Sequence, residues 1–303
     1  MDRREFLMSS LAGAGAVAGL AAGGSPARAA EEPKKEGVLK LCSQDGRIPG
    51  KSLKEKVNRV LEWGGCGLEF GGMDAGRAKQ IKKELEGTGC GVAALCWGYF
   101  PLIDPEEAKR KKAVEDLKHA VEVAAEAGST GVIVVPAFNN HPQMEFYEAK
   151  KVILGHLREV GEHAAKVGNR VLLEPLNRGE ARFLNQLALG AQLCRDCGSD
   201  GICMMGDFYH MGIEETSDQG AFLSGGKYLH HVHLASRRRV LPGQDRVKEP
   251  NKPERSFVDG FRGLKRIGFQ DYCSLECGCD GDPLVEIPKS FALLKQEWEE
   301  ATV

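Results

Sequence analysis

The sequence predicts an α/β protein of the (β/α)8, or TIM barrel, type on three observations. Eight short apolar runs have the length of buried strands, helix-like segments separate them, and four acidic or imidazole side chains stand at the ends of the last four runs. The runs are 39–43, 67–70, 92–96, 131–136, 171–174, 202–207, 228–234 and 272–276. No Pro/Ser-rich linker interrupts the alternation after residue 38, so residues 31–303 are expected to form a single barrel domain. A doubly wound open sheet is the alternative for the same alternation. Gly64-Gly65-x-Gly67 precedes a strand rather than opening a helix, so it reads as a connecting loop and not as a dinucleotide-binding turn.

Helix boundaries are marked locally. Ser52-x-x-Glu55 has the form of a capping box, and Asp104-Pro105 reads as an N-cap followed by proline in the first helical position. Gly128 and Gly168 stand where two long helices should stop. The segment 105–127 carries Ala113, Leu117, Ala120, Val121 and Ala124 on one face and charges on the other, the pattern of a surface helix packed on a sheet.

The 303 residues carry 41 basic and 43 acidic side chains, a formal net charge of -2. Such balance generates no field that would attract nucleic acid phosphates. Residues 1–30 read as a removable targeting segment: Arg3-Arg4 precedes Phe6-Leu7, an Ala/Gly-rich apolar stretch runs to Gly24, and Ala27-Arg28-Ala29 offers a cleavage site. This segment resembles a twin-arginine export signal, which implies a folded protein delivered to the periplasm or cell envelope with no membrane span in its mature form. The stretch is short and glycine-rich for an anchor helix. The ten cysteines are scattered, several within strand runs, and are expected to be buried small hydrophobes rather than disulfides. Cys194-x-x-Cys197 and Cys277-x-Cys279 could form a zinc site in principle, but one pair falls at a helix end and the other beside the expected barrel site.

The chemistry concentrates in VLLEPLNR, ICMMGDFYH, YLHHVHLAS and DYCSLECG, which place Glu174, Asp207, His233 and Glu276 at successive strand ends. In a barrel of this type the carboxyl ends of the strands share one face, and carboxylates beside apolar strands need compensation. One imidazole and three carboxylates form a hard, mostly oxygen ligand set suited to one divalent cation. Mn2+ is favoured, with Mg2+, Co2+ or Zn2+ also able to fit.

LEPLNRGE, GDFYH, HVHLASRRRVLPG and SLE also resemble segments of the xylose isomerase-like barrel superfamily, in particular sugar isomerases and epimerases related to hydroxypyruvate isomerase and the ketose 3-epimerases. The resemblance is specific in the second half and architectural in the first. It implies that Glu174, Asp207, His233 and Glu276 bind the metal, that Glu174 and Glu276 transfer protons, and that Glu180, His210 and Arg239 contact the substrate. The substrate would be a small sugar or keto-acid, and a homo-oligomer is left open. Each substrate contact has a plainer reading: Glu180 as a helix cap, His210 as a satisfied polar residue at a strand end, and Arg239 as one of a solvated run with Arg237 and Arg238.

His231 should point inward one layer below His233, as a core or supporting residue, and His230 should face the helices. Trp97 could wall the pocket or simply pack. The sequence departs from the family after Pro242-Gly243, where Gln244-Asp245 leads into RVKEPNKPER, a loop expected to border the pocket. SQDGRIPG, after the first strand, offers no familiar substrate contact. The leading expectation is a metal-dependent isomerase or epimerase working through an enediolate. The alternatives are a lyase or dehydratase acting on a keto-sugar or keto-inositol in the same barrel, and a sugar-binding protein without catalysis. A multi-zinc endonuclease would need more histidines and a basic surface.

Overall fold

A computed structural model of the chain describes residues 35–303; the expected export signal, residues 1–30, lies outside the described residues. Eight parallel strands close into a barrel in chain order: β1 (Lys40–Gln44), β2 (Gly67–Gly71), β3 (Gly91–Tyr99), β4 (Val132–Val135), β5 (Val171–Leu173), β6 (Ile202–Asp207), β7 (Leu229–Leu234) and β8 (Tyr272–Leu275). All eight expected strands form, and β8 pairs back onto β1 with Ser43 opposite Leu275, which excludes the open sheet. Strands covered on both sides should read as unbroken apolar runs rather than alternating ones. β4 (VIVV) and β5 (VLL) are buried at every position.

The helices wrap the outside: α1 (Leu53–Glu62), α2 (Ala75–Leu85), α3 (Glu107–Ala127), α4 (Phe146–Val167), α5 (Leu187–Cys197), α6 (Phe208–Glu214), α7 (Asp218–Gly225), α8 (Asp245–Lys248), α9 (Val258–Ile267) and α10 (Pro283–Glu300). Half of the α1 capping box forms, with Ser52 Oγ accepting the Glu55 N–H at 3.2 Å. The Glu55 carboxylate reaches back to the N–H of Lys51, one residue earlier than the motif requires. α3 begins at Glu107, two residues later than expected. Asp104 instead accepts the N–H of Glu106 at 2.8 Å, and Arg110 donates to the carbonyls of Asp104 and Pro105. A side chain thus satisfies groups that an earlier helix start would have used. Gly128 (φ 72°) and Gly168 (φ 74°) end α3 and α4 in the left-handed conformation, which only glycine adopts without strain. Ala113, Leu117, Ala120, Val121 and Ala124 of α3 are all buried against the sheet.

The main core lies between strands and helices. A smaller apolar plug of Ala94, Ile133, Leu172, Cys203 and Met205 fills part of the barrel interior. All ten cysteines are free and seven are buried. Neither group of side chains with metal-ligand geometry among the described residues contains a cysteine. Among the described residues no helix is long and apolar enough to cross a membrane.

Candidate metal centre

The closed barrel brings the four strand-end side chains together. Asp207 and His233 are paired across β6 and β7, while Glu174 and Glu276 stand one residue beyond β5 and β8. Their backbone N–H groups continue the ladder to the carbonyls of Val134 and Leu234, at 3.0 and 3.3 Å, so each carboxylate is fixed by strand geometry and not by a free loop. One ligand atom from each of Glu174, Asp207, His233 and Glu276 lies within 4.8 Å of the others. Around His233 Nδ1 are Glu276 Oε2 at 3.2 Å, Glu174 Oε1 at 3.6 Å and Asp207 Oδ2 at 3.9 Å.

Two of these atoms, Asp207 Oδ2 and His233 Nδ1, are fully buried and lack any hydrogen-bond partner. Leaving buried polar atoms unpaired costs about 1–3 kcal/mol each, more when charged. A cation among the four ligands would satisfy both, and the hard oxygen-rich donor set matches a divalent ion.

The electrostatics show the same strain. Burial raises the pKa of Asp207 to about 7, with the charges of Glu276 and Glu174 adding to it against the opposing pull of His233. Burial likewise raises Glu174. At Glu276 burial is overcome by His233 and Arg239, and the carboxyl is held down at about 2. Burial alone would lower His233, but the negative charges around it, Glu69 first and then Glu276, drive it well above its usual value. The pocket holds more negative charge than an imidazole can balance comfortably.

The structure also reveals two residues not anticipated from the sequence. Glu69, in the middle of β2, is completely buried and accepts from His231 Nε2 at 2.8 Å and His233 Nε2 at 2.9 Å on one oxygen. Its other oxygen accepts from Gln44 Nε2 at 3.0 Å, and the same amide donates to Glu276 Oε1 at 3.1 Å. The available signal was a lone acidic residue in the run GLEFG, as costly to bury as Glu174. Gln44, from the segment that offered no familiar contact, is placed here by its register opposite Glu69.

Above the four ligands stand the expected substrate contacts. His210 Nδ1 accepts from the backbone N–H and the side-chain amide of Asn177 at 3.1 and 2.9 Å. This leaves the proton on Nε2, a buried and unpartnered atom 3.7 Å from Asp207 Oδ2. Burial, reinforced by the Arg239 charge, pushes the His210 pKa down to about 3, so its ring is neutral. Glu180 accepts from Asn177 Nδ2 at 2.9 Å and lies 3.7 Å from Arg239; the cap position of α5 belongs to Gln186.

The three consecutive arginines diverge. Arg237 pairs with Glu249 and Arg238 with Asp280, whereas Arg239 turns inward to Glu276 Oε2 at 2.9 Å and lies 5.0 Å over the ring of Tyr209. Arg239 has φ 55°, the left-handed region, alone among the described non-glycine residues. That conformation costs about 1–3 kcal/mol and recurs at functional positions. It is held by hydrogen bonds from Arg239 N–H to Ser236 and from Gly278 N–H to the Arg239 carbonyl, both 2.9 Å.

Other expectations resolve individually. His231 is buried on Glu69, as a supporting residue, and His230 faces outward between Arg170 and Asp271, each 2.7 Å away. Trp97 lies within β3, half-buried against the core with its indole over Gly72, where an added Cβ would come within 2.9 Å of the ring. The loop after Pro242-Gly243 meets the site only indirectly: buried Asp245 accepts the backbone N–H groups of Arg237, Arg238 and Arg255. With Tyr209, its residues Pro253 and Arg255 line a small cavity of about 140 Å3. The loop thus shares a cavity with the ring beneath Arg239.

Comparison with known proteins places this geometry. The sequence profile of the xylose isomerase-like TIM barrels matches residues 57–297. The chain is 28% identical over 235 residues to 3-dehydro-D-guloside 4-epimerase of Escherichia coli (strain K12), covering 74% of this chain and 90% of that protein. It is 35% identical over 120 residues to D-psicose 3-epimerase of Ruminiclostridium cellulolyticum, a match spanning 40% of this chain and 38% of that one. The crystal structure of apo 3-keto-D-glucoside 4-epimerase from E. coli superposes with a TM-score of 0.74 at 26% identity, covering 86% of this chain and all of that chain. The relatives so matched are sugar epimerases.

Proposed function

We propose that this chain, which belongs to the xylose isomerase-like TIM barrel family, is a divalent-metal-dependent sugar epimerase that works through an enediolate on a keto-sugar or related keto-acid. The observation that carries the reading is the convergence of Glu174, Asp207, His233 and Glu276, with Asp207 Oδ2 and His233 Nδ1 buried and unpaired. These four side chains would hold the ion, with Mn2+ favoured over Mg2+, Co2+ or Zn2+. When bound there, it would polarise a substrate carbonyl and neighbouring hydroxyl and so acidify the adjacent C–H.

Glu174 and Glu276 are the paired carboxylates of the reaction. One removes the proton from the carbon beside the carbonyl, the electron pair forms the C=C bond, and the carbonyl oxygen takes the negative charge. The other returns a proton to the opposite face and inverts the centre. His210, fixed by Asn177 with its Nε2–H directed into the pocket, donates to the developing oxyanion. Arg239 and Glu180 hold substrate hydroxyls from the rim, the guanidinium supplying a planar fork of donors. The matched relatives favour epimerisation over isomerisation, which would return the proton to the neighbouring carbon.

The test is exchange of substrate C–H for deuterium from solvent across a panel of ketoses and keto-glycosides, with products resolved by mass. Exchange with conserved mass and an inverted centre supports the reading. Loss of water would instead identify a dehydratase, and bound sugar without exchange would identify a binding protein. Export by the Arg3-Arg4 signal to the periplasm belongs to the same proposal; an Arg3→Lys, Arg4→Lys double variant should accumulate unprocessed in the cytoplasm.

A further inference from the structure

We infer that Glu69, whose three hydrogen bonds all run to protein side chains, is the positioning residue of the metal centre: it selects the His233 nitrogen offered as ligand and, through Gln44, the Glu276 oxygen that faces it. The inference rests on the proposed metal site and concerns how that site is assembled.

Glu69 lies one strand away from Gln44 in register and across the barrel from β7. Its Oε2 receives Nε2–H from both His231 and His233, at 2.8 and 2.9 Å, and its Oε1 receives the Gln44 amide at 3.0 Å. With three donors and no exposure, this carboxylate is committed to its neighbours. An imidazole that binds an ion carries one N–H, so donation from Nε2 to Glu69 leaves the Nδ1 lone pair free. In His233 that nitrogen points among Glu174, Asp207 and Glu276 and has no hydrogen-bond partner.

The alternative tautomer would place a proton where the ion must sit and a lone pair against Glu69, two lone-pair regions 2.9 Å apart. Glu69 makes that arrangement unfavourable. Gln44 extends the control: donation to Glu276 Oε1 at 3.1 Å leaves Oε2 turned toward His233 and Arg239. One buried carboxylate thereby aligns two ligands from different strands, the kind of outer contact whose loss typically weakens metal binding 10–100-fold. His231 shares Glu69 but reaches no ligand oxygen; it steadies the carboxylate.

The same three residues, Glu69, His231 and His233, could be read as a second metal site, since their ligand atoms also converge. Separations of 2.8 and 2.9 Å are those of charge-assisted hydrogen bonds, which favours the positioning role.

The test is titration of metal-free protein with Mn2+, following the paramagnetic resonance signal of the free ion. Wild type should bind one Mn2+ per chain. Glu69→Gln should bind the same number with Kd raised 10–100-fold, and His231→Asn should change Kd far less. Equal affinity in wild type and Glu69→Gln overturns the positioning role while leaving the metal site intact. Two ions in wild type, falling to one in both variants, would replace it with a second metal site. Absence of Mn2+ binding by wild type would sink the metal reading and this inference together. Independently of whether Glu69→Gln folds, nitrogen-15 spectra of the Mg2+-loaded wild type should show His233 protonated at Nε2 only. A proton on Nδ1 overturns the inference.

Discussion

The barrel interior is divided into two sectors of opposite character. On β3 to β6 it is apolar, filled by Ala94, Ile133, Leu172, Cys203 and Met205; on β1, β2, β7 and β8 it is polar, with Gln44, Glu69, His231 and His233 joined by hydrogen bonds that run on to Glu276. The four candidate ligands straddle the seam. Glu174 and Asp207 cap the apolar strands, and burial raises both; Glu276 caps a polar strand, and its partners lower it. The two carboxylates proposed to transfer protons, Glu174 and Glu276, are thus given different environments, the arrangement that separates acid from base roles. The apolar sector supplies the burial that raises Asp207 and Glu174. The polar sector supplies the hydrogen bonds that hold His233 and Glu276.

The largest effect should come from the polar rim. Glu276→Gln removes the proposed charged ligand and proton carrier together, so turnover should fall by at least about 10³-fold, roughly 4 kcal/mol, with the barrel still folded by circular dichroism. Near-normal rate would remove Glu276 from the mechanism. The apolar sector should respond in the opposite currency. Leu172→Ala leaves a cavity in a close-packed plug and should cost about 2–5 kcal/mol of stability while one Mn2+ still binds. If metal affinity collapsed as much as stability, the two sectors would not be separable.

Chelation tests the seam itself. Removing the ion from protein held at about 100 times its Kd should forfeit roughly 2.7 kcal/mol of stabilisation and lower Tm by several degrees. Unchanged melting and unchanged activity after exhaustive chelation would contradict the metal centre. The smallest and sharpest contrast lies among the arginines. Arg239→Ala should lower kcat/KM by an amount equivalent to about 1.5–3 kcal/mol, the range for a hydrogen bond to a charged group, whereas Arg237→Ala should have little effect on it. Equal behaviour of the two variants would reduce Arg239 to a surface residue.

Much of this molecule is determined by its sequence alone, because the signals involved are local. Apolar runs specify strands, Gly128 and Gly168 stop helices through a conformation other residues resist, and the order Glu174, Asp207, His233, Glu276 marks strand ends. The start of α3 was displaced because Arg110, one turn onward, bonds the carbonyls of Asp104 and Pro105. Only tertiary structure decided the rest. Barrel closure brings β2 within reach of β7, setting Glu69 against histidines 162 and 164 residues away, and brings Gln44 to Glu276, 232 residues distant. It also turned Arg239 inward while its two neighbours found partners elsewhere, and set Asp245 against the backbone N–H groups of Arg237 and Arg238. Hydrogen bonds act over about 3 Å of space whatever the separation along the chain. Sequence can therefore name the residues that are costly to bury, but the closed sheet chooses the partners that make their burial tolerable.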